Sequence, residues 1–302
     1  MILGQEAWAL WRADPRATPF QSPAWLNAWI AHLGGQEMFI AHVPGRAILP
    51  LFLWNDDGVR KLVPAGAGQS DYCDMTGDPA AVRALLDVIG AAPLAWDALV
   101  LPDLRLDSPL LGPPPPGWTA ADEPHETCPV LALPPTLSKS QRRKVAHDRH
   151  RADNLGGVTV ALATDEEIPE ALDALFALHA ARWAAAGEPG VLADPRVQAF
   201  LRAATRALAQ AGLLRMALVR HHGRIVAVLL SFRDAERVHS YINGVDMTVP
   251  GQSFGTLAFA CLIEAAVAEG AQEFHFLRGE EPYKYGWGAQ PVRTVRRTLR
   301  RT

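Results

Sequence analysis

One stretch of the sequence combines glycines, hydroxyl groups and charge in an order that suits the binding of phosphate. Residues 238–245 (Val-His-Ser-Tyr-Ile-Asn-Gly-Val) predict a strand, and an apolar helical pattern follows from about Leu257 to Ala268. Between them lie residues 250–256, Pro-Gly-Gln-Ser-Phe-Gly-Thr. The free N–H groups and the dipole at a helix start attract anions, and glycine lets the backbone approach a ligand closely. The segment therefore predicts a phosphate-binding loop followed by a helix.

The same loop also matches the nucleophile elbow of serine hydrolases, because residues 251–255 read G-x-S-x-G between a strand and a helix. In that fold the acid and the histidine of the triad follow the serine on later strands. The remainder of this sequence offers only His275 and Glu280 or Glu281, which lie on or just after the next predicted strand. We therefore favour phosphate binding over a hydrolase.

The elements around this loop form a mixed α/β pattern. A strand at 157–162 is followed by two helical patterns that end at Gly212, and then by three strands between residues 214 and 245 that short turns connect. After the loop and its helix comes a buried strand at 273–277. The strand before the loop and the strand after the helix are expected to diverge, which leaves a wedge for a ligand above the helix start.

The first half of the sequence alternates helices with short strands. The proline-rich segment 102–135 is predicted to bridge the two halves, with the boundary near 135. A chain of 302 residues can form one large domain or two smaller ones. Its hydrophobic fraction of 49% and charged fraction of 20% are typical of a folded protein. The net charge of −3 argues against a protein whose main task is to coat nucleic acid.

Three further features argue against other classes of protein. The cysteines Cys73, Cys128 and Cys261 are far apart and odd in number, so neither a disulfide framework nor a metal site is expected. The first residues lack the basic region and the apolar core of a signal peptide. No uninterrupted apolar run approaches the roughly 18 residues that span a bilayer. We therefore expect a soluble, cytoplasmic protein.

Residues 138–151 predict a strongly basic helix, with Ser138 and Gln141 at the spacing of a capping box. Three interpretations of its charge stay open: a solvated surface, attraction of coenzyme A phosphates or of an acidic substrate, and contact with RNA. In the next helix, His179 lies among the apolar positions. We interpret it as a core or cleft histidine rather than as a catalytic one.

Two segments resemble an acyltransferase family. Residues 274–288 read Phe-His-Phe-Leu-Arg-Gly-Glu-Glu-Pro-Tyr-Lys-Tyr-Gly-Trp-Gly. They resemble the closing signature F-D-F-L-R-G-D-E-P-Y-K-x-x-W-G of the CelD-like (cellulose-biosynthesis-type) acetyltransferases. This branch of the GNAT superfamily is related in architecture to the Fem-type peptidoglycan aminoacyl transferases. His275 and Glu280 both stand where an Asp is usual. Residues 66–74, Gly-Ala-Gly-Gln-Ser-Asp-Tyr-Cys-Asp, are similar to a stretch in the N-terminal part of the same proteins.

The resemblance implies an α/β fold with mixed sheets, built as two tandem GNAT-like acyl-CoA N-acyltransferase domains. Residues 1–135 would form a degenerate domain and residues 136–302 the domain that binds acetyl-CoA or another acyl-CoA. The pantetheine arm would lie along backbone hydrogen bonds of Ile242, Asn243, Gly244 and Val245. The pyrophosphate would lie against the N–H groups of Gly251, Gln252, Ser253, Phe254, Gly255 and Thr256.

Acyl transfer to an amine requires a base for the amine proton and a hydrogen-bond or proton donor near the thioester. The resemblance makes Glu281 the first candidate for base or substrate anchor, and Tyr283 the candidate for protonation of the leaving sulfur. Arg278 and Lys284 would fix anionic parts of donor or acceptor. For Asp71 and Tyr72 two interpretations stay open: they close the site from the first half, or they belong to a loop whose aspartates cap backbone amides.

The predicted function is transfer of an acetyl or other acyl group from acyl-CoA to an amine or hydroxyl. The acceptor would be a small molecule or a polysaccharide or other cell-envelope precursor. Two alternatives stay open: a Fem-type transferase that uses aminoacyl-tRNA, and a non-catalytic binding protein whose donor site has decayed.

Overall fold

A computed structural model describes residues 3–35, 37–185, 187–249 and 253–302. Contacts between residues divide the chain into two compact units. The first unit contains the chain up to Thr127 together with Val292–Thr302, and the second contains Cys128–Pro291. By contacts the division therefore falls after Thr127, and the end of the chain returns to the first unit. The functional domains expected at 1–135 and 136–302 stay a prediction.

Helices and strands alternate through both units. The α-helices are α1 (Gln5–Ala13), α2 (Pro23–His32), α3 (Val82–Gly90), α4 (Lys139–Leu155), α5 (Ile168–Ala185), α6 (Pro195–Gln210), α7 (Phe254–Ala268) and α8 (Pro282–Gly286). The strands are β1 (Met38–Val43), β2 (Ala47–Asp56), β3 (Val59–Pro64), β4 (Thr76–Gly77), β5 (Ala98–Leu104), β6 (Trp118–Thr127), β7 (Val130–Ala132), β8 (Val158–Leu162), β9 (Leu214–His221), β10 (Arg224–Arg233), β11 (Arg237–Val245), β12 (Glu273–His275) and β13 (Arg293–Arg301). No helix of the described residues is both long and apolar enough to cross a membrane.

The first unit is built on a sheet with the order β1-β2-β3-β5-β13-β6, and β4 pairs with β2. Strands β3 and β5 are parallel, and the other pairs are antiparallel. The amphipathic helix α3 packs its apolar side on β1 and β2, and Leu85 and Ile89 are fully buried there. The segment expected to bridge the halves instead contains β6. Pro124 is compatible with this strand because β6 lies at the sheet edge.

The second unit is built on a sheet with the order β7-β12-β11-β10-β9-β8. Strands β11 and β12 are parallel, and the other pairs are antiparallel. Adjacent residues of a strand face opposite sides of a sheet. Gly244 meets Leu175 and Leu178 of α5, whereas Val245 lies next to Gly255 of α7, so these helices cover opposite faces. Both faces of β10 are covered, which explains its almost continuous burial.

Local sequence signals explain several boundaries in the second unit. The Ser138 side chain accepts a hydrogen bond from the Gln141 N–H at 3.1 Å, and α4 begins as the capping pattern predicts. Asp194 caps α6 ahead of Pro195. The predicted hairpin between β9 and β10 turns at His222 and Gly223, which both have positive φ angles.

The two units share one order of elements. In each, two helices precede three antiparallel strands, and a helix then leads to a strand that pairs in parallel with the third strand. In the first unit these are α1, α2, β1, β2, β3, α3 and β5, and in the second α5, α6, β9, β10, β11, α7 and β12. The chain therefore contains an internal structural repeat.

Strands β11 and β12 separate early, as the sequence predicts. They pair only from Arg237 with Glu273 to His239 with His275, after which β12 ends while β11 continues to Val245. The predicted strand at 273–277 is therefore too long by two residues, because the backbone turns at Leu277, whose φ is +57°. A wedge opens beside the second half of β11.

Candidate active site

The start of α7 lies at one side of this wedge. Phe254 is the first helical residue, is fully buried, and anchors the start to the core. Ser253 precedes it, but its side chain caps no backbone amide. Its hydroxyl instead lies 2.7 Å from the Thr256 hydroxyl. The helix therefore begins three residues before the predicted start near Leu257, and Phe254, Gly255 and Thr256 of the predicted loop form its first turn. Gly251 and Gln252 lie outside the described residues.

Gly255 brings the helix start close to the end of β11. A Cβ atom added at Gly255 would meet only Val245 Cγ2, at 3.5 Å, which is an ordinary contact. The glycine is therefore not required by packing. Its lack of a side chain leaves the surface beside Val245 open, at the point where the predicted donor loop and donor strand meet.

Backbone groups of β11 point into the wedge. The Asp246 N–H donates to the Val226 carbonyl at 2.8 Å on the side of β10. Because hydrogen-bonding direction alternates along a strand, Asn243 and Val245 direct their N–H and C=O groups to the opposite side. That side faces the wedge, since β12 has already ended. These residues are therefore arranged to pair with an extended ligand.

Gly244 and its neighbour Ile242 face α5 rather than the wedge. A Cβ atom at Gly244 would lie 2.9 Å from Leu178 Cβ and 3.1 Å from the Leu175 carbonyl oxygen. Gly244 therefore permits close packing of α5 on β11. Sequence analysis placed Gly244 in the predicted donor site. The lack of space for a Cβ atom beside α5 gives this glycine a packing role.

A lysine that sequence analysis did not single out lies at the start of α7. Lys144 of α4 donates to the Thr256 hydroxyl at 2.8 Å and to the Ser253 hydroxyl at 3.4 Å. It also pairs with the carboxylate of Asp148 at 2.6 Å, and half of its side chain is exposed. The signals available in the sequence were the basic helix and the Lys–Asp spacing of four residues.

Lys284 holds the loop between β12 and α8 together. Its side chain is 3% exposed and pairs with Glu281 at 2.9 Å. Its ammonium donates to the carbonyl oxygens of Leu277 at 3.2 Å, Arg278 at 2.7 Å and Gly279 at 3.1 Å. These carbonyls surround the ammonium group, which therefore makes its hydrogen bonds within the loop. Arg278 itself is partly exposed.

Glu281 and Tyr283 are the exposed members of the predicted catalytic set. The Glu281 side chain is 53% exposed beside Lys284. The Tyr283 ring packs on Phe259 and Phe276, with centroids 5.3 and 6.3 Å away, and the residue is 42% exposed. Partial burial, together with the Glu281 carboxylate, raises the pKa of the Tyr283 phenol. Tyr283 therefore keeps its proton at neutral pH and can donate a hydrogen bond.

His275, which departs from the family signature, lies at the last residue pair before β11 and β12 separate. Its Nε2 atom is 2.9 Å from Glu273, and its ring lies 4.9 Å from that of the fully buried His239. His239 contacts Asp234 at 2.9 Å. His275 thus belongs to a buried polar cluster at the closed end of the wedge.

His179 is buried, in agreement with its apolar sequence context. Its Nε2 atom accepts a hydrogen bond from the Trp183 indole N–H at 2.9 Å. Burial lowers the pKa of His179, so the imidazole stays neutral at pH 7. Gly190 lies against both rings, where a Cβ atom would clash at 2.6 to 2.8 Å.

Asp71 and Tyr72 belong to the first unit and are both buried. The Tyr72 ring packs edge-on against Phe20, with centroids 6.3 Å apart. Its carbonyl accepts a hydrogen bond from Gln21 at 2.6 Å. Tyr72 thus contributes to the packing of the first unit. Among the described residues no group of His, Cys, Asp or Glu side chains could hold a metal ion.

Comparison with known proteins shows which family the second unit resembles. The model of the family described as "Acetyltransferase (GNAT) domain" matches residues 139–285. These residues include the wedge, the start of α7 and the loop held by Lys284. The second unit therefore contains a domain with the GNAT fold. No curated protein matches the chain.

Solved structures extend the similarity to nearly the whole chain. FemX has a TM-score of 0.67 at 11% identity, over 98% of this chain and 96% of that one. A conserved protein of unknown function from Bacteroides thetaiotaomicron VPI-5482 has a TM-score of 0.66 at 14% identity, over 97% and 95%. The C-terminal domain of a putative lysylphosphatidylglycerol synthetase from Agrobacterium fabrum has a TM-score of 0.60 at 11% identity, over 98% and 91%. Together with the internal repeat, these similarities give the predicted fold class, a mixed α/β fold with two GNAT-like domains.

Proposed function

We propose that this protein is an acyltransferase that moves an acetyl or other acyl group from acyl-CoA to an amine or hydroxyl. The observation that carries the proposal is the convergence of the open β11 edge with the start of α7 at Gly255, inside the region that matches the GNAT family. Asn243 and Val245 would pair with the pantetheine amides. The start of α7, with the Ser253 and Thr256 hydroxyls, would receive the pyrophosphate.

In the proposed reaction the acceptor nitrogen attacks the thioester carbonyl, and the carbon–sulfur bond breaks. Glu281 takes the proton that the acceptor loses, since its carboxylate is exposed. Tyr283 supplies a proton to the leaving sulfur and so yields free coenzyme A. Lys284 and the Arg278 carbonyl keep the loop that carries these residues in one conformation. Lys284 is therefore proposed to act on the loop rather than on an anionic substrate.

The acceptor is proposed to be a cell-envelope precursor or another small amine or hydroxyl compound, as in a CelD-like enzyme acting in the cytoplasm. Similarity in fold to a putative lysylphosphatidylglycerol synthetase supports a connection with the cell envelope. The roles proposed from sequence for Asp71 and Tyr72 stay a prediction. Burial of Tyr72 favours a structural contribution within the first unit.

A Fem-type transferase that takes its acyl group from aminoacyl-tRNA is the second candidate. Cations of α4, three of them exposed and one half-buried, support it. Lys139, Arg142, Arg143 and Arg151 form no ion pair with any residue in the described part of the chain. Turnover that requires charged tRNA, with none from acyl-CoA, would favour this candidate.

Calorimetric titration with acetyl-CoA, at low and moderate salt, tests the donor site. We expect micromolar binding by the unmodified protein and loss of binding in Gly255→Trp, because the indole fills the space beside Val245. Gly35→Trp is the matched control, since Gly35 is also open and has no positive φ. Absence of acetyl-CoA and longer acyl-CoA binding by the unmodified protein would refute the proposed donor and favour tRNA or a decayed site.

A further inference from the structure

One edge of the sheet in the second unit lacks the protection that edge strands usually carry. Strand β8 is the last strand of this sheet and pairs only with β9 within the described part of the chain. Its five residues, Val-Thr-Val-Ala-Leu, include no charged residue and no proline. Proteins usually block a strand edge with charge, proline or a short length, because an open edge of β-forming residues pairs with other strands. Strand β8 therefore keeps an edge on which another strand can pair.

The other sheet edges in the described part of the chain differ from β8. Strand β7 has only three residues. Strand β6 carries Pro124 and several carboxylates. Strand β1 is largely half-buried, and α3 packs on it. The middle of β8, in contrast, is exposed at Thr159, Val160 and Ala161. The edge of β8 is thus the one that is both exposed and uncharged.

The pairing with β9 determines which backbone groups of β8 point outward. The Ala163 N–H, just after β8, donates to the Met216 carbonyl of β9 at 2.8 Å. Hydrogen-bonding direction alternates along an antiparallel strand, so every second residue before Ala163 also faces β9. The residues between them, Val158, Val160 and Leu162, therefore direct their N–H and C=O groups away from the sheet. An added strand would meet donors and acceptors at three consecutive outward positions.

The side chains of the same three residues leave one apolar group uncovered. Val158 and Leu162 pack against the core of the second unit. Val160 lies between them on the same face of the sheet and is 38% exposed. In an antiparallel pair of two β8 strands, Val160 would face Val160 of the second copy, and Val158 would face Leu162. Each of these pairs would exchange two backbone hydrogen bonds, and the two Val160 side chains would cover each other.

The charges at the two ends of β8 are opposite in sign. The basic helix α4 precedes the strand, and its Arg151 forms no ion pair in the described ranges. Asp165 and Glu166 follow the strand and are exposed, and neither forms an ion pair with a described residue, whereas Glu167 pairs with Arg220. In an antiparallel pair the end of one strand lies beside the beginning of the other. The acidic segment of each copy would thus approach the basic helix of the second copy, which favours self-association over pairing with an acidic or a basic peptide.

We propose that two copies of this chain associate by antiparallel pairing of their β8 strands, about a two-fold axis at Val160. The six-stranded sheets of the two second units become one continuous sheet. Because the same edge is used by both copies, the association ends at a dimer. Strands β9 and β10 separate β8 from β11, so each copy keeps its wedge open. The proposal is independent of acyl transfer and concerns a different edge of the sheet.

Analytical ultracentrifugation of the full chain, from about 1 to 200 µM, tests the dimer. We expect a reversible monomer–dimer equilibrium in the micromolar range, because a strand pair of this length is small for a protein interface. Val160→Lys and Val160→Asp should each raise the dissociation constant at least about tenfold, since the two-fold axis places like charges opposite each other. An equimolar mixture of the two variants should restore the dimer. Val191→Lys, at a valine that is 49% exposed in the same unit, is the control and should dimerise like the unmodified protein.

Thermal unfolding of every variant shows whether the fold is kept, which the exposure of Val160 leads us to expect. A monomer at all concentrations of the unmodified protein would overturn the proposal and leave the proposed acyltransferase in place. Dimers that persist in both charged variants would place the interface elsewhere and overturn it as well. A mixture of the folded Val160→Lys and Val160→Asp variants that stays monomeric would show that residue 160 does not face its own copy, which the two-fold pairing requires.

Discussion

The two units of this chain share one topology but differ at the start of the helix that follows the third strand. In the second unit, α7 begins without a side-chain cap, beside an open strand edge. In the first unit, a short helical turn leads into α3, and Asp78 caps it by accepting the Ala80 N–H at 2.8 Å. Arg46 pairs with that carboxylate at 2.7 Å. The first unit thus places its own carboxylate at a position that no side chain caps in the second unit.

The space beside the third strand differs in the same way. After β3 the chain of the first unit returns through residues 65–75, where Ser70 accepts the Trp25 indole N–H at 2.9 Å. Phe20 and Tyr72 are buried alongside. The cavity that remains there has a volume of only about 10 Å³. A shared topology therefore creates the wedge, and side chains decide whether it can hold a ligand. We expect chemistry in the second unit alone.

The largest expected effect is on turnover, and it distinguishes a tyrosine of the second unit from a tyrosine of the first. Tyr283→Phe should lower turnover about a hundredfold, because it removes the proposed proton donor. Tyr72→Phe should change turnover little, because Tyr72 packs within the first unit. Glu281→Gln should resemble Tyr283→Phe. Initial rates of coenzyme A release measure all three, and an equal loss in Tyr72→Phe would break the comparison by giving the first unit a part in catalysis.

Substitution of the buried lysine should have a large effect on stability. Lys284→Met leaves three carbonyl oxygens without their donor, and we expect a loss of about 2–4 kcal/mol in the free energy of unfolding. Denaturant unfolding measures the loss. Lys139→Met, at an exposed lysine, is the control and should change stability little. A loss below about 0.5 kcal/mol in Lys284→Met would contradict the structural role.

Substitution by alanine should change stability in opposite directions at two glycines of the second unit. Gly244→Ala should cost about 1–3 kcal/mol, because its Cβ atom would meet α5 at 2.9 Å. Gly255→Ala should be neutral or stabilising by up to about 1 kcal/mol, since the added methyl finds an ordinary contact in a helix. Thermal and denaturant unfolding distinguish them. Similar losses in both variants would mean that Gly255 also has a packing role.

The smallest expected effect is on stability, which should depend on pH in opposite ways in the two units. Burial raises the pKa of Asp74, in the first unit, to about 7 and lowers the pKa of His239, in the second, to about 4. Between about pH 4 and 7 the folded state retains the Asp74 proton, so the Asp74 contribution to stability falls as pH rises. The His239 contribution falls as pH drops from about 6.5 to 4, because the unfolded state then binds the proton more readily. Each slope is at most about 1.4 kcal/mol per pH unit.

Hydrogen exchange of each unit at pH 5 and pH 7 measures this difference. Asp74→Asn should flatten the pH dependence of the first unit and leave that of the second unchanged. If the variant keeps the pH dependence of the unmodified first unit, other groups control it.

Much of the architecture could be predicted from local patterns. The capping serine of α4, the proline at the start of α6 and the turn at His222 and Gly223 act within a few residues, so the sequence displays them directly. The order of elements also predicted the separation of β11 and β12. The signature around Glu281 indicated the acetyltransferase class, which the match at residues 139–285 supports.

The sequence by itself thus determined most of the elements and their order, because backbone propensity and hydrophobic periodicity are local properties. The class of domain was indicated by the resemblance of residues 274–288 to a family signature. Only the tertiary structure decided which charged side chains are buried and which groups they contact. Lys284 looks like a catalytic cation in the sequence, yet three carbonyls bury it. Lys144 looks like one of many surface cations, yet it reaches a helix start more than a hundred residues away. Burial and pairing depend on contacts between distant segments, and these exist only once the chain has folded.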